Sequence, residues 1–291
     1  ALEWLQGSKL PLSLAQALAR VYDDPVKTIS DDPLILTAFG VSFDDTLKLI
    51  KSMKLDVSES RIKSAIAEQI ATEHCFSTGS TVIPEDKLLE RSTVICKGLK
   101  LDSNGVTDAA LKHGSLLKVE GGFQSLGAAI QERTVGRFLV KCHQRPQGSG
   151  SLLAAWEKDL TSDKIEAALE SFESSLPFAM TAEQREAVIG AVKSSVSIIS
   201  GGAGTGKTTI LLAMLAVYEK LSSGMAIHQL ALSGRAAQRM AESTGRPAQT
   251  IAKFISDQLG EKKPDVEEHI LLVVDEASMV DLVSAYRVVG L

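Results

Sequence analysis

Cysteine, aromatic side chains and long apolar runs are all scarce in this chain, and each scarcity closes a class of protein. Three cysteines, Cys75, Cys96 and Cys142, are odd in number, far apart and never in a C-x-x-C pair. That excludes a disulfide framework and a zinc site of the usual spacing, and it fits a reducing cytoplasm. Aromatics make up only 4% and the formal net charge is −5. There is neither the basic surplus nor the stacking aromatics that announce a nucleic-acid-binding surface, so any contact of that kind must be local. The longest apolar stretch, Thr209 to Tyr218, runs about ten residues where a membrane helix needs about twenty. The opening "ALEWLQGSKL" lacks the basic-then-apolar order of an export signal. The expectation is a soluble, cytoplasmic protein. What is present is ordinary for a globular chain: 291 residues, 44% of them hydrophobic, enough for about two domains. A start without Met and a stop soon after an apolar run suggest a piece of something longer.

Along the chain, Leu12 to about Leu55 reads as short helices broken by "YDDP", "SDDP" and "AFGVSFDD", where Asp-Pro pairs and Gly40 interrupt the apolar period. The amphipathic "SESRIKSAIAEQIATEH" follows, then "VIPEDKLLERSTVI", a helix with Pro84 near its start and Glu85 and Asp86 in its first turn. The run "VTDAALKHGSLLKVEGGFQSL" predicts a helix and then a hairpin turning at Gly121-Gly122. Residues 1–145 thus read as a helical domain, the short helices at its start suiting a hairpin module and the later helices with one small hairpin suggesting a winged-helix shape. The polar "HQRPQGSGS" marks a linker at 146–151. From residue 152 to 291, "TSDKIEAALESFESSL" reads as a capped helix. After it, apolar strands "VSIIS", "IHQLALS" and "HILLVVD" alternate with helices starting at Thr208 and Arg235. Such alternation predicts a parallel sheet covered by helices on both faces, an α/β fold.

Between "VSIIS" and the apolar "ILLAMLAVY" lies "GGAGTGKTT". Gly201, Gly206, Lys207 and Thr208 meet the pattern G-x-x-x-x-G-K-[ST], in the strand-to-helix context that gives it meaning. Small residues at Gly202, Ala203, Gly204 and Gly206, with Thr205 and Thr209, let successive backbone N–H groups curl into a nest. The following helix adds the positive end of its dipole. This is a P-loop for a polyphosphate, with Lys207 reaching the β- and γ-phosphates and the Thr208 hydroxyl ligating Mg²⁺. Downstream, "HILLVVDEASMVD" ends a buried-looking strand in Asp275 and Glu276, at the carboxyl edge where open α/β sheets bind ligands. In this position Asp275 suits Mg²⁺ through its water shell, and Glu276 suits the base that orients and deprotonates water. Upstream, Thr181 stands three residues before Gln184. The spacing is that of a capping box, and an amide at Gln184 also matches the donor–acceptor edge of adenine; both readings stay open.

The order "TAEQREAV", "GGAGTGKTT", "LSGRAAQRMAESTGRPAQTI", "VVDEASMVDL" closely resembles the RecD-like family of superfamily 1 DNA helicases, related to the alpha chain of exodeoxyribonuclease V, over Thr181 to Leu282. The N-terminal half resembles the longer, stand-alone RecD type, in which a helix-hairpin-helix region and a winged-helix-like segment precede the motor. The family turn G-x-G-F is here Gly40-Val41-Ser42-Phe43. The resemblance implies a RecA-like P-loop domain and ATP-driven, 5′ to 3′ movement on single-stranded DNA in repair or recombination. It also implies a second motor domain beyond Leu291 that would supply a phosphate-stabilising arginine. Where the family has P-T-G this chain has Leu232-Ser233-Gly234, which keeps a hydroxyl at Ser233 for a DNA phosphate. Arg235 and Arg239 either add charge contacts to the strand or form a solvated face. Thr250 matches a family position beside DNA, and Ala252 stands where the family has His. The family sheet sets a later strand between the P-loop strand and the Asp275 strand, so this chain is expected to show an incompletely closed sheet. No N-K-x-D run marks a guanine switch, and no acceptor pocket of a kinase is apparent. Retention of Lys207, Thr208, Asp275 and Glu276 argues against a dead motor. The alternatives left are a DNA-binding scaffold and a non-helicase P-loop ATPase.

Overall fold

The computed structural model describes Leu18 and residues 22–39, 41–144, 161–202, 204–221, 226–259 and 270–290. The chain packs as two units, Ala1–Ile130 and Gln131–Leu291, the division falling inside one long helix. The linker expected at 146–151 lies outside the described residues.

In the first unit, α1 (Pro25–Asp31), a 3₁₀ turn (Pro33–Phe39) and α2 (Phe43–Met53) are followed by α3 (Glu59–Thr78), α4 (Glu85–Leu99) and α5 (Val106–His113). The sequence sets the ends of these helices. Ser42 and Ser58 cap α2 and α3 with their hydroxyls, and Gly79 closes α3 in the left-handed conformation at φ 74°. Pro84 precedes α4, with Glu85 and Asp86 in its first turn, as expected. The core gathers around α3, whose Ile66, Ala67 and Ile70 pack with Leu88, Val106, Leu116 and Phe123.

The hairpin forms between β1 (Leu116–Val119) and β2 (Gly122–Ser125), with Val119 opposite Gly122. Its turn is therefore Glu120-Gly121, one residue earlier than expected. The reason is steric. Ile83 and Phe123 exchange backbone hydrogen bonds of 2.8 and 2.9 Å, and a Cβ on Gly122 would lie 2.1 Å from the Ile83 carbonyl oxygen. Gly122 is needed in the strand, where two backbones meet, rather than in the turn.

The helix α6 (Leu126–His143) spans the division between the units. The second unit continues with α7 (Ser162–Glu173), α8 (Ala182–Lys193), α9 (Lys207–Leu221), β3 (Ala226–Ala231), α10 (Gly234–Thr244), β4 (Ala248–Thr250), α11 (Ile251–Leu259), β5 (Ile270–Val274) and α12 (Leu282–Val289). The three strands form a parallel sheet in the order β4-β3-β5. Helices cover both faces, as the alternation predicts. Ile227, Leu271 and Val273 face a core from α7, α8 and α9 that includes Ile165, Leu169, Val188 and Leu215. Leu230, Leu272 and Val274 face Ile251, Phe254 and Ile255 of α11.

Two expectations change here. Among the described residues the run Val196–Ser200 pairs with no strand, and Ile198 is 90% exposed. The buried-looking strand before Asp275 is half-buried, with Ile270 44% exposed. Both have one cause. A strand exists only through a ladder partner, and among the described residues β5 pairs only with β3.

Candidate functional site

The loop from Gly201 to Thr209 leads directly into α9, whose first turn begins at Lys207. Three of its glycines, Gly201, Gly204 and Gly206, stand where a side chain would meet a neighbour or a strained backbone. Gly204 and Gly206 have φ of 75° and 85°. A Cβ at Gly201 would come within 2.6 Å of Thr205 Oγ1, and one at Gly206 within 2.4 Å of Gln184 Nε2. Thr205 Oγ1 donates to the Gly202 carbonyl at 3.0 Å, closing the curl. Lys207 Nζ folds back to donate to the carbonyls of Gly201 and Gly202 at 2.7 and 2.8 Å. The first intrahelical backbone bond runs from Ile210 N–H to the Gly206 carbonyl at 3.0 Å, so the N–H groups before Ile210 are the unsatisfied donors of a helix start. Gly202, Gly204, Thr205, Lys207 and Thr208 are exposed, and Gly206 and Thr209 are half-buried. Ala203 lies outside the described residues. A mobile cation, a helix N-terminus and a side-chain-free cradle fit a polyphosphate, and the exposed hydroxyl of Thr208 fits a magnesium ion bound with it.

Gln184 links this loop to α8. Its Oε1 accepts from Thr181 N–H at 3.0 Å while its own N–H donates to Thr181 Oγ1 at 3.3 Å, which completes a capping box. Its Nε2 donates to the Thr205 carbonyl at 3.1 Å. One amide thus ends a helix and braces the loop, and pairing with a base requires it to give up one of these bonds.

Asp275 follows β5 and prolongs its ladder, donating its N–H to the Leu230 carbonyl at 3.0 Å. Its Oδ1 accepts from Glu276 N–H at 3.0 Å. Glu276 is held in the left-handed region at φ 52° and ψ 44°, starting the 3₁₀ turn Ala277–Met279. A side chain in that region costs about 1–2 kcal/mol, a strain typical of sites where geometry serves function. Nothing in the residue pattern "VVDEAS" marks it. Both carboxylates are exposed at the carboxyl edge of the sheet.

Ser233, after β3, and Thr250, at the end of β4, stand at the same edge of the sheet. Ser233 caps α10 after β3, its Oγ accepting from Ala236 N–H at 3.2 Å. Thr250 ends β4 and accepts from Lys253 N–H at 3.1 Å at the start of α11. Each hydroxyl keeps its own proton to donate, beside the N-terminus of a helix. Arg235 and Arg239 are exposed and have no ion-pair partner among the described residues. In the first unit, by contrast, the start of α2 carries Asp44 and Asp45, and the Ser42 hydroxyl donates to Asp45 Oδ2 at 2.8 Å. That helix end already holds its own anion.

Sequence reasoning missed one buried residue. Gln229, 1% exposed in the middle of β3, donates Nε2 to Thr244 Oγ1, the Arg246 carbonyl and the Pro247 carbonyl at 3.0, 3.3 and 3.1 Å. Arg246 in turn makes a two-pronged pair with Glu219 of α9, at 2.5 and 2.7 Å. The turn leading into β4 is therefore tied to both the sheet and the P-loop helix. The only sequence signal was a glutamine, beside His228, inside a strand of otherwise apolar residues.

Among the described residues no group of three or more His, Cys, Asp or Glu side chains could hold a metal on its own, and no helix is long and apolar enough to cross a membrane. The cysteines are unbridged.

The family profile described as "AAA domain" matches residues 184–291. An uncharacterized protein of Methanocaldococcus jannaschii, MJ1519, is 28% identical over 127 residues, covering 37% of this chain. The chain spans 11% of that relative's length. The profile match and the loop geometry agree: residues 184–291 are similar to the P-loop NTPases of the AAA domain family.

Proposed function

We propose that the protein is an ATP-dependent DNA translocase or helicase of the RecD-like type, moving 5′ to 3′ on single-stranded DNA in the cytoplasm during repair or recombination. One observation carries the reading. The carboxyl edge of a single parallel sheet bears Asp275 and Glu276 after β5, and Ser233 and Thr250 at two helix starts after β3 and β4. Residues suited to hydrolysis and residues suited to a phosphodiester backbone thus share one sheet, which is what coupling them requires.

In this reading Lys207 leaves the Gly201 and Gly202 carbonyls for the β- and γ-phosphates of ATP. Thr208 and Asp275 hold Mg²⁺, which neutralises charge on the phosphates when bound. Glu276 accepts the proton of the attacking water. Gln184 serves ATP selection and bracing of the loop, and Gly202, Ala203, Gly204, Thr205, Gly206 and Thr209 shape the cradle. Ser233, Thr250 and Arg235 contact the strand through its phosphates. The winged-helix-like segment and a second motor domain belong to the same proposal.

The test is ATP turnover with and without single-stranded DNA. Stimulation by DNA is expected, with Ser233→Ala and Thr250→Ala together losing the stimulation and keeping the basal rate. Displacement of streptavidin from one labelled end of an oligonucleotide reads the polarity. Turnover indifferent to DNA would favour a non-helicase P-loop ATPase, and DNA binding without turnover a scaffold.

A further inference from the structure

In the part of α6 that belongs to the second unit, Arg133, Arg137 and Lys141 recur every four residues. On a helix this spacing puts them on one face, about 6 Å apart along the axis. All three are exposed, and none has an ion pair or hydrogen bond from its side chain among the described residues. Seven cations on other elements, Lys48, Arg61, Lys63, Lys87, Arg91, Arg185 and Arg246, are each matched to a carboxylate, while Arg235 and Arg239 of α10 stand without an ion pair as these three do. The only acid on α6 is Glu132, which helical geometry turns about 100° away from Arg133. Beside Lys141 on the same side stands Phe138, 41% exposed, in a chain with few aromatics. Within a chain of net charge −5, α6 thus carries a row of three cations with no acid of the same helix beside them and an aromatic ring at its flank.

We infer that this face of α6 is a binding surface for single-stranded nucleic acid, separate from the carboxyl edge of the sheet. Three unmatched cations in a row complement the regular charge of a phosphodiester backbone. An exposed ring next to them offers a stacking surface that a single strand can use and a paired duplex cannot. The inference rests on the proposed function for the identity of the polyanion. It gives the strand a second hold on the protein, outside the nucleotide-driven edge.

The experiment compares the full chain with Arg133→Gln/Arg137→Gln/Lys141→Gln and with Phe138→Ala, using a fluorescent single-stranded oligonucleotide titrated at several salt concentrations. Each lost phosphate contact lowers the salt slope by about 0.7 for a single strand, so the triple variant should show a slope shallower by about 2. At low salt its affinity should fall by about tenfold or more. Phe138→Ala should weaken binding by about fivefold or more, the scale of one lost base stack, with Phe138→Trp restoring it and reporting the strand by fluorescence quenching. Basal ATP turnover should be unchanged in all of them. Unchanged oligonucleotide affinity and slope in the triple variant would overturn this inference and leave the proposed function standing. Loss of binding to phosphatidylserine vesicles with oligonucleotide binding intact would also overturn it, in favour of a membrane surface. No oligonucleotide binding by the unaltered chain would overturn both.

Discussion

Replacing Gln184 by Glu and by Ala separates the two jobs of that amide. Ala removes the acceptor from Thr181 N–H and the donor to the Thr205 carbonyl, which stand at 3.0 and 3.1 Å. A typical hydrogen bond contributes about 0.5–1.5 kcal/mol, and two at a solvent-facing site together contribute about 1–2 kcal/mol. Glu keeps the cap with a carboxylate oxygen, and a negative charge in the first turn of α8 adds about 0.3–1 kcal/mol. It also turns the donor facing Thr205 into an acceptor facing an acceptor, beside a cradle meant for anions. Gln184→Glu is therefore expected to unfold within about 0.5 kcal/mol of the unaltered protein and to lose nucleotide affinity by about tenfold, the equivalent of one charge-assisted contact. Gln184→Ala should lose both stability and affinity, and ATP more than GTP. Denaturant unfolding and calorimetric titration with each nucleotide supply the four numbers. If Gln184→Glu binds nucleotide like the unaltered protein, the bond to Thr205 has no bearing on the loop. If Gln184→Ala loses ATP and GTP alike, the amide caps and braces but reads no base.

Lys207→Ala removes a cation whose partners are two exposed loop carbonyls, so stability should change by no more than about 1 kcal/mol while tight ATP binding disappears; unchanged affinity by calorimetry would refute the cradle. Glu276→Gln should bind ATP normally and turn over at least about a hundredfold more slowly, the scale of a lost general base. Glu276→Gly, better suited to φ 52°, should be equally inactive yet melt higher, and a lower melting temperature would show that the conformation is not strained. Burial, with the nearby Asp32 charge, pushes the Glu68 carboxyl above its ordinary value against the opposing pull of Arg61 and Ser115. A raised carboxyl favours the fold while protonated, a contribution fully present below about pH 4.3 and lost as pH rises through the raised value. Glu68→Gln should therefore match the unaltered protein in acid and exceed its stability near neutral pH; equal loss at both would place Glu68 in a charge-dependent role instead.

The local grammar of this chain was readable wherever the signal and the structure share one short segment. The capping box at Thr181 and Gln184, the glycine-rich turn into α9 and the carboxylates after β5 are all decided by neighbours within four residues. What escaped depends on distant backbone. Val196–Ser200 has the composition of a strand and, among the described residues, no partner to make it one. Gly122 looks like a turn residue until the Ile83 carbonyl approaches it. The left-handed Glu276 and the clamp of Gln229 on the turn before β4 are set by how the chain must arrive and depart. The amide of Gln184 belongs to both kinds, legible as a cap and illegible as a brace on Thr205.

The strand β5 is apolar at all five positions, with Leu271 and Val273 turned to one helical layer and Leu272 and Val274 to the other. A slip of one residue would exchange these pairs and leave both layers equally oily, so burial is blind to the error. Yet the same slip would carry Asp275 about 3.3 Å along the sheet and turn its carboxylate to the opposite face. The position of the acids is thus fixed by the ladder to β3, by the Asp275 N–H on Leu230 and by the backward twist at Glu276. Mutations that loosen those few backbone bonds can leave the protein folded and its melting curve ordinary, with the chemistry one residue out of place.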